Sequence, residues 1–135
     1  MDGVQSDHPN VTRMGRYLAA WASPDPDDLL AFCSPEVKMH VGGDHSLTGT
    51  YVGHAGAAEL HRRTQAATDR NFDFSLDDVL ADDGHAVAVM KLRLRHDDRV
   101  LEETTVGAVK IGPDGLVTEA WYLTSDQQAE REFMG

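Results

Sequence analysis

Four runs rich in β-formers fill the second half of the chain, and the links between them are too short for anything but tight turns. The runs are "NFDFSLDDVL", "HAVAVMKLRLRH", "RVLEETTVGAVKI" and "LVTEAWYL", and the links are "ADDG", "HDDR" and "GPDG". Parallel neighbours need crossovers of a dozen residues or more, so links of this length and composition force an antiparallel meander. In "KLRLRHDDR" the cations at 91, 93 and 95 alternate with Leu92 and Leu94, the pattern of a strand with one wet face.

The first half reads differently. Val11, Met14, Tyr17, Leu18 and Trp21 fall at helical spacing, with Asn10 placed to cap the first turn. In "SPDPDDLLAFC" Asp25 is an N-cap, Pro26 suits the first helical position, and the acidic residues after it suit the positive end of the helix dipole; this predicts a short helix ending near Cys33. "EVKMHV" alternates, with Val37, Met39 and Val41 on one face and Lys38 and His40 on the other, so it predicts a strand. A glycine-rich loop follows, a helix begins near Gly53, and "SDQQAEREF" predicts a last short helix capped by Ser125 or Asp126. Residues 10–135 thus form one α+β domain behind a loose tail at 1–9, and the 135 residues suffice to bury a core.

A net charge of -11, with the twelve Lys and Arg mostly scattered, weighs against nucleic acid, whose phosphates need a basic patch, and disfavours anionic membranes. No apolar run approaches the ~20 residues of a membrane span. The opening "MDGVQSDHPN" has neither a basic nor an apolar secretory segment, and the single Cys33 cannot form an internal disulfide. The expected setting is cytoplasmic.

The stretches "RYLAAW", "DPDDLLAFCSPEVKMHV", "LTGTYVGHAGAAEL", "DVLADDGHAVAVMKLR" and "GLVTEAWYLTSDQQAEREF" together resemble the nuclear-transport-factor-2-like superfamily, and within it the SnoaL-like and ketosteroid-isomerase-like group. Leu47, Gly49, Tyr51 and Gly53 carry the resemblance most specifically, supported by Trp121, Tyr122, Leu123, Asp126 and Phe133 near the end. It implies a cone-shaped, curved, mostly antiparallel sheet with three to four helices on its concave face. It also implies a homodimer through the outer sheet face. Proteins of this fold include isomerases, cyclases, dehydratases and plain binding modules, so the fold alone does not give the activity.

Four histidines lie between positions 40 and 61. Ala57, Leu60, His61 and Thr64 share a core-facing stripe, whereas His40 alternates to the outer face. His54 precedes His61 by about 10 Å along a helix, too far to share a metal directly. No metal or cofactor is expected. Asp44 and His45 are loop residues, either exposed or at a cavity rim. The resemblance matches Tyr17 to a tyrosine that donates to a substrate oxyanion and His61 to that tyrosine's hydrogen-bonded partner, so it implies that the two touch. A buried Tyr–His bond that only satisfies two polar groups is the alternative. Where the isomerase pattern has its carboxylate base this sequence has Val41, and where it has a protonated acid it has Gly107. Proton chemistry then falls to Glu103, in phase with Thr105 and Gly107, or to Asp126, whose alternative role is helix capping. Trp21, Met39, Val41, Phe74, Met90 and Tyr122 are the expected substrate-facing residues. With these residues, the resemblance implies either a cofactor-independent isomerase, cyclase or dehydratase of SnoaL-like type, acting on a hydrophobic carbonyl compound such as a polyketide or terpenoid intermediate, or a protein that only sequesters such a molecule. A third possibility is a dimeric interaction module.

Overall fold

The computed structural model describes residues 8–68 and 71–135; residues 1–7 of the expected tail lie outside them. Helix α1 (Pro9–Ala20) starts earlier than its apolar spacing indicates. His8 is the N-cap, its Nδ1 accepting from the Asn10 N–H at 3.0 Å, with Pro9 at the first helical position. Asn10 is not the cap. It is buried, and its amide donates to the Asp82 carbonyl at 2.8 Å, which ties α1 to a turn of the sheet. Helix α2 (Pro26–Leu30) is capped by Asp25 as expected, but it ends before Cys33, which opens the next strand. The cause is a distant partner: the Phe32 carbonyl accepts from the Val117 N–H, so sheet pairing captures the chain there.

Strand β1 (Cys33–Val41) buries Val37 and Met39 completely and turns His40 outward. Part of the glycine-rich loop is ordered as β2 (Gly49–Val52), antiparallel to β1 with Met39 opposite Tyr51. Four residues are too few to show a period, so the sequence hid this strand. Helix α3 (Gly53–Ala67) follows without a link, and the chain makes that abrupt turn at Gly53, whose φ of 74° is open to glycine at little cost. Its buried stripe is Ala57, Leu60, His61, Thr64 and Gln65.

The meander consists of β3 (Asn71–Ala81), β4 (His85–His96), β5 (Arg99–Ile111) and β6 (Val117–Thr124), and α4 (Gln127–Met134) closes the chain. The six strands form one curved, unclosed sheet in the order β2-β1-β6-β5-β4-β3. Every pair is antiparallel except β1 with β6. A register shift between Leu76 and Asp78 lets β3 bend, as a bulge does. Helices α1 to α3 cover the inner face over Met14, Tyr17, Leu29, Val37, Met39 and Leu60, while Phe133 of α4 packs on a smaller cluster of Leu92, Leu94 and Leu101. Among the described residues no helix is long and apolar enough to cross a membrane.

Candidate functional site

Alternation along β5 and β6 builds the site. Glu103, Thr105 and Gly107 face inward from β5, and Thr105 and Gly107 lie opposite Thr124 and Tyr122 on β6. Gly107 is packed closely under Met90: a Cβ there would stand 3.2 Å from Met90 Cε and in ordinary contact, at 3.6 Å, with the Tyr122 ring. Beneath the helices a cavity of about 100 Å³ remains, walled by Trp21, Val41, Phe72, Met90 and Tyr122 and edged by His45, Thr105, Thr124 and Glu130. Its walls are mostly apolar and its polar groups gather toward α4.

The aromatic end is held by hydroxyls. Tyr122 Oη is hydrogen-bonded to Tyr17 Oη and accepts from Trp21 Nε1 at 3.1 Å. The Trp21 ring meets Tyr122 edge-on, with centroids 5.7 Å apart, and stacks on His61 at 5.9 Å. Burial raises the pKa of both phenols, so they stay protonated and act as donors. The expected Tyr17–His61 contact is not formed. His61 Nε2 instead donates to the Ser23 carbonyl at 2.8 Å, and Trp21 stacks on its ring. The loop after α1 brings the Ser23 carbonyl, which also accepts from Gln65 Nε2 at 3.3 Å, within reach of the imidazole, whereas Tyr17 already has a phenol partner.

The other end carries acid. Thr124 Oγ1 bonds both carboxyl oxygens of Glu103, one of them at 2.7 Å. Glu103 also shares a hydrogen bond with Glu130, which α4 directs inward three residues before Phe133. Burial first, and then the bond to Glu130, push the Glu103 carboxyl up to about 8; the Thr124 hydroxyl pulls the other way. Burial raises Glu130 as well, opposed by its bond to Glu103. One proton held between two carboxyls is the arrangement these directions describe. His45, with a side chain only 2% exposed, has Nε2 2.8 Å from Glu130 Oε1, out of line for a hydrogen bond. Its Nδ1 accepts the Leu47 N–H at 3.1 Å, so the neutral ring carries its proton on Nε2, facing the carboxylate. Burial lowers the His45 pKa, partly countered by the charge of Glu103, so the ring is neutral near pH 7.

The SnoaL-like domain profile matches residues 14–120. The chain belongs to the SnoaL-like family. It is 29% identical over 129 residues to the uncharacterized protein Rv0034 of Mycobacterium tuberculosis, covering 95% of this chain and 98% of that one. Its fold is similar to that of Bal32a from a soil-derived mobile gene cassette, with a TM-score of 0.84 at 21% identity over 93% of this chain and 96% of that one. It is also similar to a SnoaL-like polyketide-cyclase candidate from Jannaschia sp. CCS1, with a TM-score of 0.72 at 16% identity over 86% and 85% of the two chains.

This SnoaL-like chain distributes the expected site residues unevenly. Trp21, Val41, Met90 and Tyr122 line the cavity. Met39 is fully buried and lies outside it, and Phe74 lines a separate groove, while its neighbour Phe72 faces the cavity. Tyr17 reaches the cavity only through Tyr122. Glu103 reaches it through Glu130 and Thr124, and its other side borders the groove that also exposes Asp126. Asp126 caps α4, its carboxyl accepting from Ala129 N–H at 3.0 Å. His54 donates to the Cys33 carbonyl at 2.9 Å, and His40 bonds Thr50 and Glu119 on the outer face. Among the described residues no three His, Cys, Asp or Glu side chains group as metal ligands. Sequence reasoning missed Glu130 altogether. The signal was present, because Glu130 and Phe133 stand at i and i+3 and must share one face of α4.

Proposed function

We propose that this protein is a small cofactor-independent enzyme of acid/base type, an isomerase, cyclase or dehydratase acting on a hydrophobic carbonyl compound such as one ring of a polyketide or terpenoid intermediate. The observation that carries the reading is the Glu103–Glu130 pair, which places a carboxylate of raised basicity at the edge of an apolar cavity. The Glu130 carboxylate takes a proton from the carbon beside the carbonyl, and the electron pair moves onto the carbonyl oxygen as an enolate. Tyr122, backed by Tyr17 and Trp21, is the donor toward that charge. Returning the proton from Glu130 to a different carbon gives isomerisation; passing it from Glu130 to a leaving β-hydroxyl, as the enolate re-forms the carbonyl, gives water and an α,β-unsaturated carbonyl compound. His45 stands beside Glu130, Asp126 caps the helix that carries it, and His61 stacks on Trp21. The cyclase-like fold neighbour supports the same class.

The test is deuterium exchange at the carbon beside the carbonyl in a panel of cyclic ketones, followed by NMR. Exchange above the buffer rate should fall roughly a hundredfold or more in Glu130→Gln. A wild-type rate equal to buffer across the panel overturns the enzyme reading in favour of sequestration, which the prior engagement of the Tyr122 hydroxyl by Tyr17 and Trp21 favours. A cytoplasmic homodimer joined through the outer sheet face completes the proposal, supported by exposed Val52 and Leu123 on that face.

A further inference from the structure

Thr105 is 7% exposed, its Oγ1 has no hydrogen-bond partner among the described residues, and it borders the cavity. Its neighbours across the sheet cannot satisfy it. Thr124, opposite on β6, donates to Glu103, accepts the Asp126 N–H and makes no bond to Thr105, and Met90, opposite on β4, offers only a thioether. A buried hydroxyl left unbonded is costly, and valine would fill the same volume in a strand without that cost. The hydroxyl is therefore explained by an acceptor that is not part of the chain. The space is small and open on one side: a closed apolar cavity of about 150 Å³ holds one benzene, and this one is about 100 Å³, so a single ring fills it and protrudes at the mouth, and a fused second ring has no room inside. Met90, Phe72 and Trp21 close its sides.

We propose that the cavity takes a single-ring, oxygen-bearing hydrophobic compound and that Thr105 anchors it by donating to the ligand oxygen beside Glu130. The proposal rests on the acid/base reading of the same cavity for the identity of that oxygen as a carbonyl. Thr105 is a binding and specificity residue: it selects an oxygenated ring over its hydrocarbon equivalent, and Met90 selects one ring over two.

The experiment measures binding alone, by NMR titration of the full chain with cyclohexanone, methylenecyclohexane and 2-decalone. Cyclohexanone should bind wild type and Thr105→Ser with affinities within about twofold, and Thr105→Val about five- to tenfold more weakly. Methylenecyclohexane, of the same shape without the oxygen, should bind Thr105→Val at least as well as wild type. 2-Decalone should bind Met90→Ala and not wild type. An amide spectrum of each variant establishes that it is folded. Equal cyclohexanone affinity in wild type and Thr105→Val overturns the anchor, as does no cyclohexanone binding to wild type up to its solubility limit. Binding of 2-decalone to wild type as tight as that of cyclohexanone overturns the size limit. The two readings fail separately: Thr105-dependent binding with no proton exchange supports this inference and sinks the enzyme reading, and exchange with Thr105-independent binding does the reverse.

Discussion

Glu103→Gln replaces a buried titrating carboxyl by an amide of the same shape, one that can still bond Thr124 and Glu130, so its effect isolates the proton. In the folded chain the Glu103 carboxyl stands at about 8 against an ordinary value of 4.5. A folded pKa above the unfolded one means that the native state holds its proton after the unfolded chain has released it. Stability is then full below about pH 4.5 and falls as pH rises toward about 8, flattening beyond. At about 1.4 kcal/mol per tenfold change in proton affinity, the gap bounds the loss at about 5 kcal/mol. Glu130 shares the proton and relaxation lowers the cost, so the expected fall between about pH 5 and pH 8 is on the order of 2 kcal/mol. His45 works against it: its lowered pKa makes the neutral ring favourable, a contribution lost as pH falls through its range. The lowered carboxyls of Glu59 and Asp82 lose their contribution only below the usual carboxylate range, outside this window. Urea unfolding at about pH 5, 6, 7 and 8 measures the slope. Wild type should weaken across the series, and Glu103→Gln should remove most of that weakening. A variant with an unchanged slope, or a wild type that strengthens steadily from pH 5 to 8, refutes the shared-proton description of the pair.

Tyr122→Phe leaves the Trp21 N–H and the Tyr17 hydroxyl buried without their common partner and should cost about 2–3 kcal/mol, whereas Tyr17→Phe leaves Tyr122 still accepting from Trp21 and should cost about 1 kcal/mol; guanidinium unfolding ranks them. Gly107→Ala presses a methyl on Met90 Cε at 3.2 Å, a flexible tip, so a loss of about 1–2 kcal/mol is expected, and a stabilised variant would show the Tyr122 ring to be loosely held. Asp126→Ala removes the α4 cap at a cost of about 1 kcal/mol, and by loosening the helix that carries Glu130 it should reduce proton exchange more than stability. Sedimentation should show a dimer that Leu123→Lys, on the outer face at 56% exposure, converts to monomer; a wild-type monomer at high micromolar concentration counts against the interface.

The fold was legible where chemistry repeats along the chain. Alternation over 12 or 13 residues defined β4 and β5, and the three short links then left one arrangement for the meander. The Asp25 cap followed from side-chain chemistry that acts within three residues. The misses have the opposite character. β2 is too short to show a period, and its pairing with β1 bridges a loop that composition marks only as flexible. Asn10 has the side chain of a cap, yet the turn at Asp82, 72 residues away, claimed it. Sequence spacing carries no information about that competitor.

The same distinction decides what was readable of the site. Phase was local information: alternation grouped Val41 with Met39, Glu103 with Thr105 and Tyr122 with Ala120, and the resemblance supplied which phase of β5 faces the cavity. Partnership was not local. Tyr17 bonds a phenol on β6, while the imidazole on α3 donates to the Ser23 carbonyl. Neither partner could be read from spacing along the chain. Gly107, opposite Tyr122, stands where the isomerase pattern has an acid. With positions 41 and 107 both without a carboxyl, an acid had to arrive from an element that the strands do not specify, and α4 supplies it. Glu130 is inward because Phe133 is, and Phe133 is inward because the amphipathic helix must cover Leu92, Leu94 and Leu101. The burial that places this helix therefore also sets the basicity of the carboxylate it delivers, and weakening the Phe133 contact should lower the pKa of the Glu103–Glu130 pair before it unfolds the chain.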